Sequence, residues 1–384
     1  LALGCAALCA AGLACAPPSP APACDPLQAP PDDAFVRAQG GRLLLGDAPL
    51  PPLGTNLYYT VEDLARGDEA PLQVFDDARA MGMGVVRLWA FDAREGSPTA
   101  LQRGPDALDE ANLRALDRAV AEAGARGLRV ILTLTNHWDD YGGLAAYERW
   151  FGLPDRAAAL RDPRVRRALA DYGGALAARV NTLTGRAYRD DPTILGWELV
   201  NEPRCEVEGC SPALTTAFLV EVAQDLRRAA PHHLIGVGDE GFLGGEVGMD
   251  GRALARSGAF DWVSVHVWPQ HWGAWRDPDG QSAWRVARVT QAGRAWIAQG
   301  AQVAREADLP LVVGELGWNA SEGDEAERAQ VLGAWLDEAR AQGADLSLVW
   351  SLADPRRPDY DGYTIRAGED LATRAVLCDA ARSR

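Results

Sequence analysis

Two glutamates, Glu202 and Glu315, each end an apolar run, Trp197-Glu-Leu-Val-Asn-Glu in one case and Val312-Val-Gly-Glu in the other. Carboxylates carried on the ends of buried strands suit acid–base work on an acetal. One protonates the departing oxygen, and the other attacks the anomeric carbon or activates water. The pairing alone does not say which group does which. Asn201, beside Glu202, has the amide needed to meet a sugar 2-hydroxyl, and Arg87 and His266 have the chemistry to hold a second carboxylate ionised and oriented. Tryptophan is in excess, 13 against 7 Phe. Those at or just past apolar runs (Trp89, Trp138, Trp268, Trp272, Trp275, Trp318 and Trp350) offer flat apolar faces with a polar N–H edge, suited to pyranose rings. Trp197 and Trp262 open or sit inside such runs, and Trp284, Trp296 and Trp335 fall on helical stretches, so these five are assigned to packing.

These residues need a scaffold that brings distant segments to one place. Short apolar runs read as strands at Leu53–Leu57, Gly84–Trp89, Arg129–Thr135, Ile194–Val200, Leu234–Gly238, Trp262–Val267, Leu311–Glu315 and Leu346–Trp350. Helical periodicity lies between them at Asp109–Arg126, Val165–Tyr188, Pro212–Ala230, Ala283–Ala307 and Asp324–Gln342, with a short, weak stretch at Gly251–Ser257. Eight strands alternating with helices, without a break in composition, predict a single (β/α)8 TIM barrel over residues 34–384. A short N-terminal β-hairpin turned at Gly40-Gly41 precedes it. A doubly wound sheet would carry a glycine-rich phosphate turn after its first strand, and Gly54-Thr-Asn lacks it. Barrel active sites lie at the C-terminal ends of the strands. Polar or indole groups collect at all of those ends but the first: Arg87 and Trp89, Asn136-His137-Trp138, Asn201-Glu202, Asp239-Glu240, His266 and Trp268, Glu315, and Trp350.

Composition narrows the partners. The chain of 384 residues carries a net charge of −16, so its field repels polyanions and nucleic acid is excluded as a natural ligand. Residues 1–15 form a signal-like apolar segment, too short to span a bilayer, and 16–33 a proline-rich tether; together they predict export. Gly12-Leu-Ala-Cys15 loosely resembles a bacterial lipobox, leaving two readings open, a lipid anchor on Cys15 or plain secretion. In an exported chain Cys205 and Cys210 can close their short loop as a disulfide, and Cys24 and Cys378, near the two ends of the folded body, allow a second. A monomer is expected.

The segment Trp197-Glu-Leu-Val-Asn-Glu-Pro-Arg-Cys205, with Val313-Gly-Glu315, Arg87 and His266, resembles the retaining glycoside hydrolases of family 5. Within that family, Asn136-His-Trp-Asp-Asp-Tyr-Gly-Gly143, Arg204-Cys205 with Cys210, and Gly238-Asp-Glu-Gly241 are similar to the endo-β-1,4-mannanases, over about Leu53 to Ala353. The resemblance implies Glu202 as acid/base, Glu315 as nucleophile, and Arg204, Trp138 and Glu240 lining the cleft. It also implies a β-mannan, glucomannan or galactomannan as substrate, with no metal or organic cofactor. Two positions depart from the family pattern. Trp268 stands where the family usually has Tyr, which puts the usual hydrogen bond to the nucleophile in question. His137 stands where the second Asn of Asn-Asn-Trp is usual, and whether it faces sugar or packs behind the site is open. Other readings are a cellulase, an exo-β-mannosidase or a non-catalytic glycan-binding protein of the same fold. A metal-dependent hydrolase using His232, His233, His266 and His271 is disfavoured, because His232-His233 precedes a strand rather than ending one.

Overall fold

The computed structural model describes residues 24, 27, 33–269, 271, 282–320 and 323–382. Eight parallel strands form its centre: β1 (Leu53–Asn56), β2 (Val85–Trp89), β3 (Arg129–Thr133), β4 (Ile194–Glu198), β5 (Leu234–Gly236), β6 (Val263–Val267), β7 (Leu311–Leu316) and β8 (Leu346–Val349). Their order is β5-β4-β3-β2-β1-β8-β7-β6. The ends meet through two backbone hydrogen bonds, Asp261 N–H to the Ile235 carbonyl (2.8 Å) and His266 N–H to the Glu240 carbonyl (3.0 Å), which complete the barrel. Every strand residue is buried, because helices cover the outer face and side chains fill the inner one. Such strands read as continuous apolar runs rather than alternating ones.

A helix follows each strand: Ala70–Ala80, Glu110–Ala125, Pro163–Ala178, Pro212–Ala229, Gly251–Arg256, Ser282–Ala307, Glu325–Ala341 and Leu371–Arg382. Their starts are chemically marked. Asp109, Asp162, Ser211, Asp250 and Asp324 accept a backbone N–H of the first turn, and Pro163 and Pro212 occupy the first helical position, where no N–H is needed. The helix expected over Val165–Tyr188 ends at Ala178 instead. The chain leaves it there because the buried Asp117 carboxylate gathers Arg179, Tyr188 and both the N–H and hydroxyl of Thr182, which fixes the following loop.

The N-terminal hairpin is a three-stranded sheet, Val36–Gln39, Arg42–Leu45 and Ala48–Pro49. Its Val36, Leu43 and Leu45 pack with Val85, Ile131, Leu195, Trp262, Val312 and Leu346 in one apolar cluster. The sheet therefore plugs the end of the barrel where the strands begin, leaving the other end to the polar side chains. The Cys24–Cys378 and Cys205–Cys210 pairs are both disulfides, with sequence separations of 354 and 5 residues. No helix among the described residues is long and apolar enough to cross a membrane. Cys15 and most of the tether lie outside the described residues.

Candidate active site

Arg87 organises the open end of the barrel. Its side chain points inward from β2 and is fully buried, and every guanidinium nitrogen is used. Nε donates to Glu198 Oε2 (2.5 Å), Nη1 to Asn56 Oδ1 (2.9 Å) and Glu315 Oε1 (2.7 Å), and Nη2 to Asn201 Oδ1 (2.7 Å). One side chain thus ties together residues of β1, β4, β7 and the segment just beyond β4. Burial alone would make its charge costly, but Glu198 and then Glu315 more than offset this and hold the proton above the ordinary value. The buried Glu198 also accepts from Thr133 Oγ1 (3.1 Å).

On this base sit the two carboxylates the sequence singled out. The β6–β7 ladder pairs His266 with Glu315. Glu315 accepts from Arg87 and, on Oε2, from the Trp268 indole N–H at 3.0 Å. The indole therefore supplies a donor to Glu315 at the position where the family usually has a phenol. Glu202, just beyond β4, has a φ of 48°, unusual for a residue with a side chain. Its Oε2 accepts from Trp138 Nε1 (2.7 Å) and its Oε1 meets His266 Nδ1 (2.8 Å). His266, expected to serve the second carboxylate, is nearer to Glu202, with Glu315 Oε2 at 3.6 Å. One oxygen of each glutamate and a ring nitrogen of His266 all lie within 4.8 Å of one another.

The protonation states follow from the partners. Burial would strip His266 of its proton, but the charges of Glu315 and Glu202 outweigh it and raise its pKa. Burial pushes Glu202 up, yet its bond to His266, the imidazolium charge and the Trp138 N–H bring it below the ordinary value. The Glu202–His266 pair thus holds one proton between two atoms in contact. Glu315 is raised, by burial first and by the Glu202 charge, against the pull of His266, Arg87 and Trp268.

A cleft of about 590 Å³ opens over these groups. On one side Trp138, Arg204 and Glu240 form its wall. Arg204 makes a two-pronged contact with Glu240 (2.7 Å each), and its guanidinium lies 4.9 Å over the Trp138 ring. Burial pushes Glu240 to about 7 despite that partner. On the other side stand Tyr58, Trp89, Tyr141, Trp350, Tyr360 and Asp361. Trp350 stacks on Tyr58 (4.9 Å, 6° between planes) and donates to Asp361 at 3.2 Å. Tyr141 donates to the buried Glu62 and stands edge-on to Trp89 at 5.0 Å. Asn136 and Asn201 line the floor, joined by a 3.1 Å amide contact. The Asn201 side-chain carbonyl is taken by Arg87 and one amide N–H by Asn136 Oδ1, so a single N–H remains to meet a ligand.

Some expectations change. Trp318 is no platform: it is wholly buried beneath Arg285, 5.9 Å from its ring. His137 packs behind the site, its Nδ1 2.5 Å from Arg156 and its ring edge-on to Trp138, and burial with the Arg156 charge lowers it to about 3. Trp272 and Trp275 lie outside the described residues. The four histidines of the metal reading do not converge. His232 and His233 sit against Phe35 at the closed end, and His271 stacks on Trp268. Glu202, His266 and Glu315 could offer three ligand atoms, but a cation there would face the Arg87 guanidinium already on Glu315. Sequence reasoning missed Glu198, Asn56, Tyr58, Tyr141 and Asp361. Tyr58 was signalled by its place directly after the first strand, and Glu198 by a charge inside an apolar run.

A family model described as GH family 5 beta-mannosidase-like matches residues 158–330. The chain is 34% identical to a putative mannan endo-1,4-beta-mannosidase 5 of Oryza sativa subsp. japonica, covering 91% of this chain and 76% of that protein. It is also 34% identical to mannan endo-1,4-beta-mannosidase 2 of the same organism, covering 87% and 80%. Among solved structures, the endo-1,4-beta-mannanase from Rhizomucor miehei superimposes with a TM-score of 0.80 at 28% identity, over 91% of this chain and 100% of that one. The hyperthermostable endo-1,4-beta-D-mannanase from Thermotoga petrophila RKU-1 does so with 0.77 at 28%, over 86% and 99%.

Proposed function

This chain belongs to glycoside hydrolase family 5, among its mannan endo-1,4-beta-mannosidases, and from that premise we propose that it cleaves internal β-1,4-mannosidic bonds of mannan, glucomannan or galactomannan with retention of configuration. The observation that carries the reading is the close pair of carboxylates with different partners. One oxygen of each lies within 4.8 Å of one of the other, a closeness that supports direct attack, since the carboxyl groups of an inverting pair stand about 6.5–9.5 Å apart to admit water.

In the first step Glu202 gives its proton to the glycosidic oxygen while Glu315 attacks C1. The C1–O bond breaks, the shortened chain departs, and a glycosyl ester forms on Glu315. In the second, the Glu202 carboxylate takes a proton from water as that water attacks C1, which releases the sugar and restores both groups. Arg87 and Trp268 hold Glu315 in line. The proton shared with His266 keeps Glu202 supplied. Asn201 faces the sugar where a 2-hydroxyl contact strengthens in the transition state. Trp89 and Trp350 are ring platforms on one side of the reacting centre, Trp138 and Arg204 on the other. Product profiles on mannan, glucomannan, xylan and carboxymethylcellulose, with the first product's anomer read by proton NMR, test this. Mixed manno-oligosaccharides of retained configuration support it; release of mannose alone, or an inverted product, refutes it.

We further propose that the protein acts outside the cell as a monomer. The apolar run of residues 1–15 and two disulfides support export. Cell fractionation with and without Cys15→Ser separates the anchored form from the free one.

A further inference from the structure

We propose that Gly317 is a positioning residue for Glu315, acting through Trp268: by lacking a side chain it leaves the space in which the indole lies with its N–H on the carboxylate. The proposal rests on Glu315 being the nucleophile. The β6–β7 ladder pairs Val267 with Leu316, so the next residues, Trp268 and Gly317, leave the two strands side by side. A Cβ on Gly317 would meet Trp268 Cζ3 at 2.7 Å and Cη2 at 2.8 Å, and Tyr363 Cδ1 at 3.0 Å. Real Cβ atoms do not approach so closely, so the ring would have to move. The backbone of Gly317 does not have the positive φ that reserves a position for glycine. What keeps a side chain out is the indole.

The ring has little freedom to evade. His271 stacks on it (5.4 Å, 12° between planes), Tyr363 stands edge-on at 4.9 Å and Trp350 edge-on at 6.0 Å. Cζ3 and Cη2 lie across the indole from Nε1. A push at that edge is carried through a rigid ring to the N–H, which now sits 3.0 Å from Glu315 Oε2. Hydrogen bonds weaken steeply with misalignment, so a small rotation suffices to remove the donor. Glu315 would keep Arg87 and lose the neutral partner that helps fix its second oxygen. A phenol at position 268 is shorter and would leave room for the added methyl.

The test is the pH dependence of kcat and KM on a soluble manno-oligosaccharide for wild type, Gly317→Ala, Trp268→Phe, Trp268→Tyr and Gly317→Ala/Trp268→Tyr, with melting temperature measured alongside. Gly317→Ala should lower kcat about tenfold to a hundredfold with KM changed far less, the span expected when a buried carboxylate loses a hydrogen bond. It should also move the acid limb of the profile to higher pH, as Trp268→Phe does, because losing a donor favours the protonated carboxyl. Adding Trp268→Tyr to Gly317→Ala should restore kcat to within about twofold of Trp268→Tyr alone. That last comparison stands even if the single variant fails to fold. The proposal is overturned if Gly317→Ala matches wild type, if its acid limb stays in place, or if the alanine is as harmful in the Trp268→Tyr background as it is beside the native indole. Substantial turnover in Glu315→Ala would instead remove the reading on which it rests.

Discussion

The two walls of the catalytic centre are built alike and work differently. Glu202 and Glu315 are both buried, both accept an indole N–H, and both touch a nitrogenous cation-former. The difference is the second partner. Glu315 faces Arg87, whose charge is fixed and which is itself locked by Glu198, Asn56 and Asn201. Glu202 faces His266, a titratable partner whose affinity for a proton the two carboxylates raise. A carboxylate beside a permanent cation has no proton to exchange with that partner and suits attack, even though burial raises Glu315; one beside an imidazole shares a proton and suits acid–base exchange. The lesson is that roles are set by the titratability of the neighbour, since burial and hydrogen-bond count are nearly equal.

The sharpest break of that contrast comes from removing each carboxylate. Glu315→Ala should lose activity on every substrate, on the order of 10⁵-fold, because no glycosyl ester can form. Glu202→Ala should spare the first step on substrates with a good leaving group, and added azide should accelerate the second with retained product. Azide rescue of Glu315→Ala with a retained product, and of Glu202→Ala with an inverted one, would exchange the roles.

The next largest effect is expected at Arg87. Arg87→Lys keeps a charge but cannot serve four acceptors in one plane, so kcat should fall about a hundredfold and the protein lose about 3–5 kcal/mol, the cost of leaving a buried carboxylate unpaired. Urea unfolding and initial rates read both quantities; an unchanged kcat would show that the guanidinium fork does not orient Glu315.

The pH profile sharpens the comparison further. Glu315 is raised, so activity should begin to fall, as pH drops, above the ordinary carboxylate value of 4.5. His266 is also raised, so the proton shared with Glu202 should be lost, as pH rises, above 6.5. His266→Gln should abolish the basic limb set by His266 and, by removing one of the charges that hold Glu315 down, move the acid limb to higher pH; a shift of the acid limb alone would assign His266 to Glu315 only.

The smallest effects on activity should separate the two disulfides. Cys205–Cys210 closes a short loop next to Arg204, so its double Ser variant should raise KM about threefold to tenfold with little change in melting temperature. Cys24–Cys378 spans 354 residues and neither cysteine lines the cleft, so its removal should cost about 4–5 kcal/mol of stability and leave kcat/KM unchanged.

The barrel was legible because parallel strands covered on both faces leave unbroken apolar runs, and because polar residues gather where those runs end. Less was legible where a side chain's direction depends on the closed barrel. Glu198 lies inside a run and is read as strand, yet its carboxylate carries Arg87. Tyr141 sits in a turn at φ 58°, and only the assembled fold aims its ring at Trp89. Trp318 follows Glu315 closely, but its indole is buried beneath Arg285 of the helix Ser282–Ala307 and does not line the cleft. The helix beyond Ala178 was overread because Asp117, distant in sequence, draws the loop onto itself.

The most direct test of the account is to trap the intermediate. A 2-deoxy-2-fluoro mannosyl fluoride, whose second step is slowed, should leave one glycosyl group on the protein, and peptide mass spectrometry should place it on Glu315. A label on Glu202 would reverse the assignment drawn from Arg87 and His266, and turnover without any accumulated label would contradict the double displacement itself.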